Sequence, residues 1–237
     1  MESTLFLLLV SAASIGLFHT LLGPDHFIPF ILLAKSRDWS TTKTMWITFI
    51  CGLGHVGSSI LLGLLGVFFG WSLYNIEIFE SSRGNIAAWL LIIFGAIYFI
   101  WGLFRAYKNK SHSHWHRHMG DIVHKHHHDH AGEHKHIHET SRSKNITPWI
   151  LFIIFIFGPC EPLIPVLLYP ASEGSIFGLG MVILVFSITT ITTMMGVVYF
   201  STKGLKFVSL GKYEKFSHAL AGALIMLSGI GVQFLGL

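Results

Sequence analysis

Six apolar stretches dominate this chain, at roughly 5–33, 44–70, 85–104, 148–170, 176–200 and 217–237. Each reaches the ~20 residues that an α-helix needs to cross a hydrocarbon core of ~30 Å. In lipid the backbone must satisfy its own hydrogen bonds, which leaves only helices and closed barrels as spanning structures. The 237 residues are 52% hydrophobic and 12% charged, against about 25% charged in soluble domains. The expected fold is an all-α membrane protein with six transmembrane helices. The first stretch reads as a span and not as a cleaved signal, because its n-region carries Glu2 and a polar motif follows within it.

Basic residues give the orientation. Lys35, Arg37 and Lys43 follow the first span, eight Lys/Arg lie between Arg105 and Lys144, and Lys203, Lys206, Lys212 and Lys215 follow the fifth. Of the 16 Lys and Arg, Arg83 alone falls on the other side. The positive-inside rule then expects cytoplasmic loops at these places and extracytoplasmic termini, in a plasma or inner membrane. The formal net charge of +4 follows from this loop bias and gives no reason to expect a nucleic-acid partner. Cys51 and Cys160 both sit in apolar spans, so a secreted disulfide framework is not expected.

The chain repeats itself. "GPDHF-IPFILL" (23–33) aligns with "GPCEPLIPVLL" (158–168) after one insertion, and "FGAIYFIWGL" (94–103) echoes "SGIGVQFLGL" (228–237). Three spans per unit is an odd number, so the second copy must be inverted, as in many secondary transporters. The expected organisation is a first three-helix repeat at 1–104, a His-rich cytoplasmic loop at 105–147 and a second three-helix repeat at 148–237. Pro24 and Pro159 each remove an amide donor and break their helices. Both breaks fall near mid-bilayer, where irregular backbone survives only when buried in protein or lining a cavity.

The breaks carry the polar residues. Asp25 and His26 follow one Gly-Pro, Cys160 and Glu161 the other, with His19 one turn earlier and His55 in "CGLGHVGSS" of the second span. Imidazole, thiolate and carboxylate together suit a borderline first-row divalent cation. The expected metal set is therefore His19, Asp25, His26, His55, Cys160 and Glu161, with the ion as cargo and no resident cofactor. Structural readings compete: His55 as a hydrogen-bonded interior histidine, His19 as a packing residue, His218 as interfacial, and Ser187, Thr189, Thr190, Thr192 and Thr193 as interhelical hydrogen-bonding groups. Between the units, "HSHWHRHMGDIVHKHHHDHAGEHKHIHE" (112–139) holds 12 of the 16 histidines without a core-forming pattern. It is expected to be disordered and to chelate transition metals.

"GLFHTLLGPDH", "GLGHVGSS" and the His-rich loop together resemble the nickel/cobalt transporter NicO group and its UreH-like relatives, within the LysE-type transporter superfamily. The resemblance implies a metal-binding set at His19, Asp25 and His26, completed by His55 from the next span. It further implies transport of nickel or cobalt, then zinc, no enzymatic activity, and a metallochaperone as candidate partner. Oligomeric state and direction of transport stay open.

A second reading starts from "GPCEPLIP", which is similar to the Pro-Cys segments of the cytochrome-biogenesis thiol carriers. It makes the chain a membrane thiol–disulfide electron carrier using Cys51 and Cys160, which would have to come within ~7 Å of each other. Against it, the first repeat offers Asp25 where the second has Cys160. An amino-acid exporter accounts for neither the loop nor the intramembrane imidazoles, and no Gly-x4-Gly-Lys-Ser/Thr phosphate loop is present.

Overall fold

The computed structural model describes residues 2–70, 73–108, 113–117, 123–127, 146–205 and 211–236. The membrane part is all α-helical. Helix α1 (Glu2–Leu22) ends in a 3-10 turn at Pro24–His26 and continues as α2 (Ile28–Ser36). Next come α3 (Thr41–Phe68) and α4 (Leu73–Lys108). The second half holds α5 (Thr147–Phe157), α6 (Leu163–Ser172), α7 (Ile176–Leu205) and α8 (Ser217–Leu235), the last preceded by a 3-10 turn at Gly211–Phe216. Among the described residues, five helices are long and apolar enough to cross a membrane: α1, α3, α4, α7 and α8. The fourth expected span, 148–170, is instead two short helices, α5 of 11 and α6 of 10 residues. Gly158-Pro159 and Pro162 interrupt the amide ladder there.

Local chemistry sets the ends of these helices. Ser40 caps α3 by accepting from the Lys43 amide at 3.2 Å. Pro148 occupies the first turn of α5, where a missing N–H costs nothing. At the first break, the His26 amide donates to the Gly23 carbonyl (3.1 Å) and the Phe27 amide to that of Pro24 (3.4 Å). Helix α4 starts well before the expected third span at 85–104. Its 36 residues, about 54 Å of helix, carry Glu80 and Arg83 into the bundle instead of leaving them in a loop.

Helices α4 and α8 pack antiparallel at very short range. A methyl group on Gly95 would run into the backbone at Met226 and Gly222, and one on Gly222 into the backbone at Phe99 and Gly95. Glycine is required here because the two backbones themselves touch. Helix α1 lies on α7, with Gly16 against Phe186 and Thr190. Helix α3 is wedged between α5 and α7, meeting Phe152 and Ile156 at Gly54 and Ile191 and Met194 at Gly52.

Two apolar clusters fill the interior. One gathers Phe30, Leu33, Cys51, Leu151, Met194 and Ile225. The other gathers Ala12, Val56, Cys160, Leu163, Leu167 and Phe186. Large apolar side chains such as Phe18, Trp46, Ile97, Trp149 and Phe200 stay exposed on the outer faces, as lipid contact requires.

Within the loop expected to be disordered, two strands are described, β1 (Ser113–Arg117) and β2 (Val123–His127). They pair antiparallel, with Trp115 opposite Lys125. Backbone pairing between short polar segments needs no hydrophobic pattern, which is why the composition hid it. The chelating role expected of 112–139 falls largely on positions outside the described residues.

Candidate functional site at the two helix breaks

The first break gathers imidazoles. His19 from the last turn of α1, His26 from the 3-10 turn and His55 from mid-α3 each bring one ring nitrogen within 4.8 Å of the others. The His26 and His55 rings meet edge to face with centroids 4.9 Å apart, and their Nε2 atoms lie 3.2 Å apart. His19 stands 4.7 Å from His26, centroid to centroid, and 6.1 Å from His55. Asp25 lies on the far side of His26, with Oδ1 3.0 Å from Nδ1, and the Gly23 carbonyl is 3.1 Å from the same nitrogen. His26 and His55 are 3% and 2% exposed, so both rings are withdrawn from lipid and water. His19 Nε2 and His55 Nδ1 are buried without a hydrogen-bond partner. A cavity of about 20 Å³ lies beside His26, His55 and Asp25, with Gly84, Gly158 and Pro159 also in its lining.

Ion pairing serves the second break. The Arg83 guanidinium pairs with Glu80 one turn back on α4 and donates to Ser58 Oγ (2.6 Å) and the Ile156 carbonyl (2.7 Å). It also reaches the Gly158 carbonyl at 3.4 Å. Those carbonyls belong to the end of α5, which has no following turn to bond them. On the other flank, the Cys160 amide donates to Ser59 Oγ (3.2 Å) and Glu80 Oε2 (3.3 Å). Glu80 is fully buried. Its carboxylate accepts from Arg83, Ser59 and Cys160 together, the arrangement that makes a buried charge tolerable. Neither Glu80 nor Arg83 was expected as a site residue. Their i, i+3 spacing beside Gly84 is the signal that marks them.

The six expected metal ligands therefore divide. His19, His26 and His55 come together with Asp25 against His26, while Cys160 and Glu161 fall outside the group of potential ligands. Gly158 abuts His55 Nδ1, but the chain then turns along α3 so that the Cys160 amide meets Ser59, one turn beyond His55. Glu161 is exposed.

Both cysteines are free thiols and both are buried. Cys51 and Ser59 are eight residues apart on α3, or about 12 Å of rise, and Cys160 lies at the level of Ser59. The two thiols thus belong to different apolar clusters. At the opposite end of α4, Tyr98 Oη lies 2.8 Å from His218 Nδ1 and 3.2 Å from Ser36 Oγ, and accepts from Arg37 at 3.2 Å. His218 is therefore a partner in a hydrogen-bonded hub, beyond the interfacial role expected of it. On α7, Ser187 donates to the Ile183 carbonyl of its own helix at 2.6 Å and not across helices.

No curated protein and no solved structure matches the chain. A family model does, described as "Cytochrome C biogenesis protein transmembrane region", over residues 28–231. The match corrects the family resemblance drawn from the sequence. The NicO and UreH-like likeness rested on short strings around His19 and His55 and on the His-rich loop, whereas the matched region runs from α2 into α8 and includes both cysteines. The reading as a nickel, cobalt or zinc transporter falls with that resemblance. With 28–231 matched out of 237 residues, the chain belongs to the family of cytochrome c biogenesis protein transmembrane regions.

Proposed function

We propose that the chain is a membrane carrier of reducing equivalents that works by thiol–disulfide exchange, with Cys51 and Cys160 as its redox pair. The family match, which contains both residues, is the observation that carries this reading. The position of Cys160 supports it. The residue lies beside a Gly-Pro break, on a segment that no continuous helix fixes, and its amide is held by Ser59 and Glu80.

In such a cycle a dithiol protein on one face attacks the Cys51–Cys160 disulfide and leaves as a disulfide, yielding the two carrier thiols. These then reduce a disulfide protein on the other face and return to the oxidised form. Each half-cycle moves two electrons and two protons by exchange through a mixed disulfide. Bridging requires Cα atoms within ~7 Å, so the reduced state described here must close by about one helical turn along α3. The broken α5–α6 segment is the element able to make that movement.

Under this reading the halves are two three-helix units of opposite orientation. The corresponding helices pack on each other, α3 on α7 and α4 on α8, and both units carry a Gly-Pro break. The termini face outside the cell, the loop after α4 faces the cytoplasm, and the partners are thiol proteins on each face.

Mass spectrometry of diamide-oxidised, alkylated membranes should recover a linked Cys51–Cys160 peptide. In proteoliposomes, Cys51→Ser and Cys160→Ser should each abolish reduction of an enclosed disulfide protein. Transfer that persists in either variant, or a linked peptide that never forms, overturns the proposal.

A further inference from the structure

We propose that His19, His26 and His55 form a binding site for one resident first-row transition-metal ion, buried in the membrane part of the chain. The site lies outside the thiol chemistry proposed above and does not depend on it. Two of its three residues, together with Asp25, precede the region matched by the family model, and His55 lies within it.

Hydrogen bonding fixes the argument. His26 Nδ1 faces two acceptors, Asp25 Oδ1 and the Gly23 carbonyl, so that nitrogen carries a hydrogen. In the neutral ring Nε2 then presents a lone pair, and it points at His55 Nε2 from 3.2 Å. Two occupants satisfy that pair: a proton shared by His26 and His55, or a cation between them. His19 decides between the two. Its Nε2 is buried and has no partner, and a proton between the other two rings leaves it bare. A metal ion takes all three.

The distances agree. Two imidazole nitrogens at ~2.0–2.1 Å from a tetrahedral ion stand about 3.3 Å apart, close to the observed 3.2 Å. The widest separation in the group is 4.8 Å, so the third ring needs to close by no more than about 1.5 Å.

The surroundings fit the same ion. Asp25 on His26 Nδ1 is the carboxylate–histidine pair that orients a metal-ligating ring and raises its basicity. Its charge offsets part of the cation's, as a buried site requires. The adjoining cavity of about 20 Å³ has room for a single water as a fourth ligand. Three imidazoles with one carboxylate behind them select zinc, copper, nickel or cobalt over magnesium and calcium, which prefer oxygen ligands.

The test uses the full-length chain in detergent, with the 12 histidines of 112–139 replaced by asparagine so that the loop cannot bind the probe. The probe is cobalt(II) alone. We expect one cobalt per chain, with the intense visible bands of tetrahedral coordination and no thiolate-to-cobalt charge transfer. Replacing His26 or His55 by alanine should weaken binding by more than about 100-fold, and His218→Ala should leave it unchanged. An unaltered alkylation pattern at Cys51 and Cys160 checks the fold of each variant. The proposal is overturned if the loop-substituted parent binds no cobalt, which needs no site variant to establish. It is equally overturned if a thiolate band appears, or if binding survives all three histidine replacements.

Discussion

Arg83→Ala should be among the most damaging single substitutions outside the two thiols. The guanidinium neutralises Glu80, which is 0% exposed, and donates to Ser58, Ser59 and the carbonyls of Ile156 and Gly158. Truncation leaves a buried carboxylate without its counter-charge and α5 without its C-terminal donor. Removing one partner of a buried ion pair costs about 3–5 kcal/mol, and the lost donors act in the same direction. For a chain of this size that is a fall in Tm on the order of 10 °C. Thermal unfolding in mild detergent at a fixed scan rate, followed by tryptophan fluorescence, reads the effect. The decisive comparison is with the Glu80→Leu/Arg83→Leu double variant. It removes both charges together and should be more stable than Arg83→Ala by at least about 1 kcal/mol, because neighbouring charges couple by ~0.5–3 kcal/mol. Alkylation of Cys160 should also quicken in Arg83→Ala as the break loosens. An Arg83→Ala variant within ~0.5 kcal/mol of the parent, or a double variant no better than the single, would refute the reasoning.

Other substitutions probe separate contacts. Gly222→Val should separate α4 from α8, since the added side chain meets the Phe99 and Gly95 backbone, and size-exclusion chromatography should show loss of the monodisperse species. Tyr98→Phe removes a hydroxyl shared by Ser36, Arg37 and His218 and should cost about 1–3 kcal/mol in detergent unfolding. Asp25→Asn should weaken cobalt binding by about 10–100-fold without abolishing it, measured by titration of the loop-substituted chain. In the same titration, affinity should fall as the pH is lowered, because protons compete for the ligand lone pairs.

Much of this fold was legible as hydropathy. Stretches of ~20 apolar residues have few alternatives in lipid, and α3, α7 and α8 fall where the pattern put them. Prolines marked both breaks correctly, since Pro24 and Pro159 cannot donate to the ladder. The start of α4 was hidden because Glu77, Glu80 and Arg83 look like a solvated loop, whereas Glu80 and Arg83 pair inside the bundle. The imidazole group was legible because His19 and His26 flank one break and His55 stands on the small-residue face of α3. Convergence of Cys160 and Glu161 on that group was not, because it assumed that matched repeat positions occupy equivalent space. Family membership was the least legible property, since short polar strings outweighed the Pro-Cys segment of the second repeat.

The two breaks solve one backbone problem by different means. Each leaves carbonyl and amide groups without helical partners in the interior of the bundle, and unpaired buried groups cost several kcal/mol. At the second break, opposite charges do the work: Arg83 takes the carbonyls of Ile156 and Gly158, Glu80 takes the Cys160 amide, and the pair is neutral as a unit. At the first break, His26 reaches back to its own Gly23 carbonyl, and the unit formed by Asp25 with neutral imidazoles carries one uncompensated negative charge. Arg83 is already engaged by Glu80 and by the second break. The imbalance therefore has to be met locally, by a proton on an imidazole or by a bound cation. Both breaks touch Gly158, which lies against His55 Nδ1 on one side and accepts from Arg83 on the other. A side chain at that position would meet His55 at 2.8 Å. Glycine there lets the imidazole group and the Cys160 segment pack against each other with nothing between them.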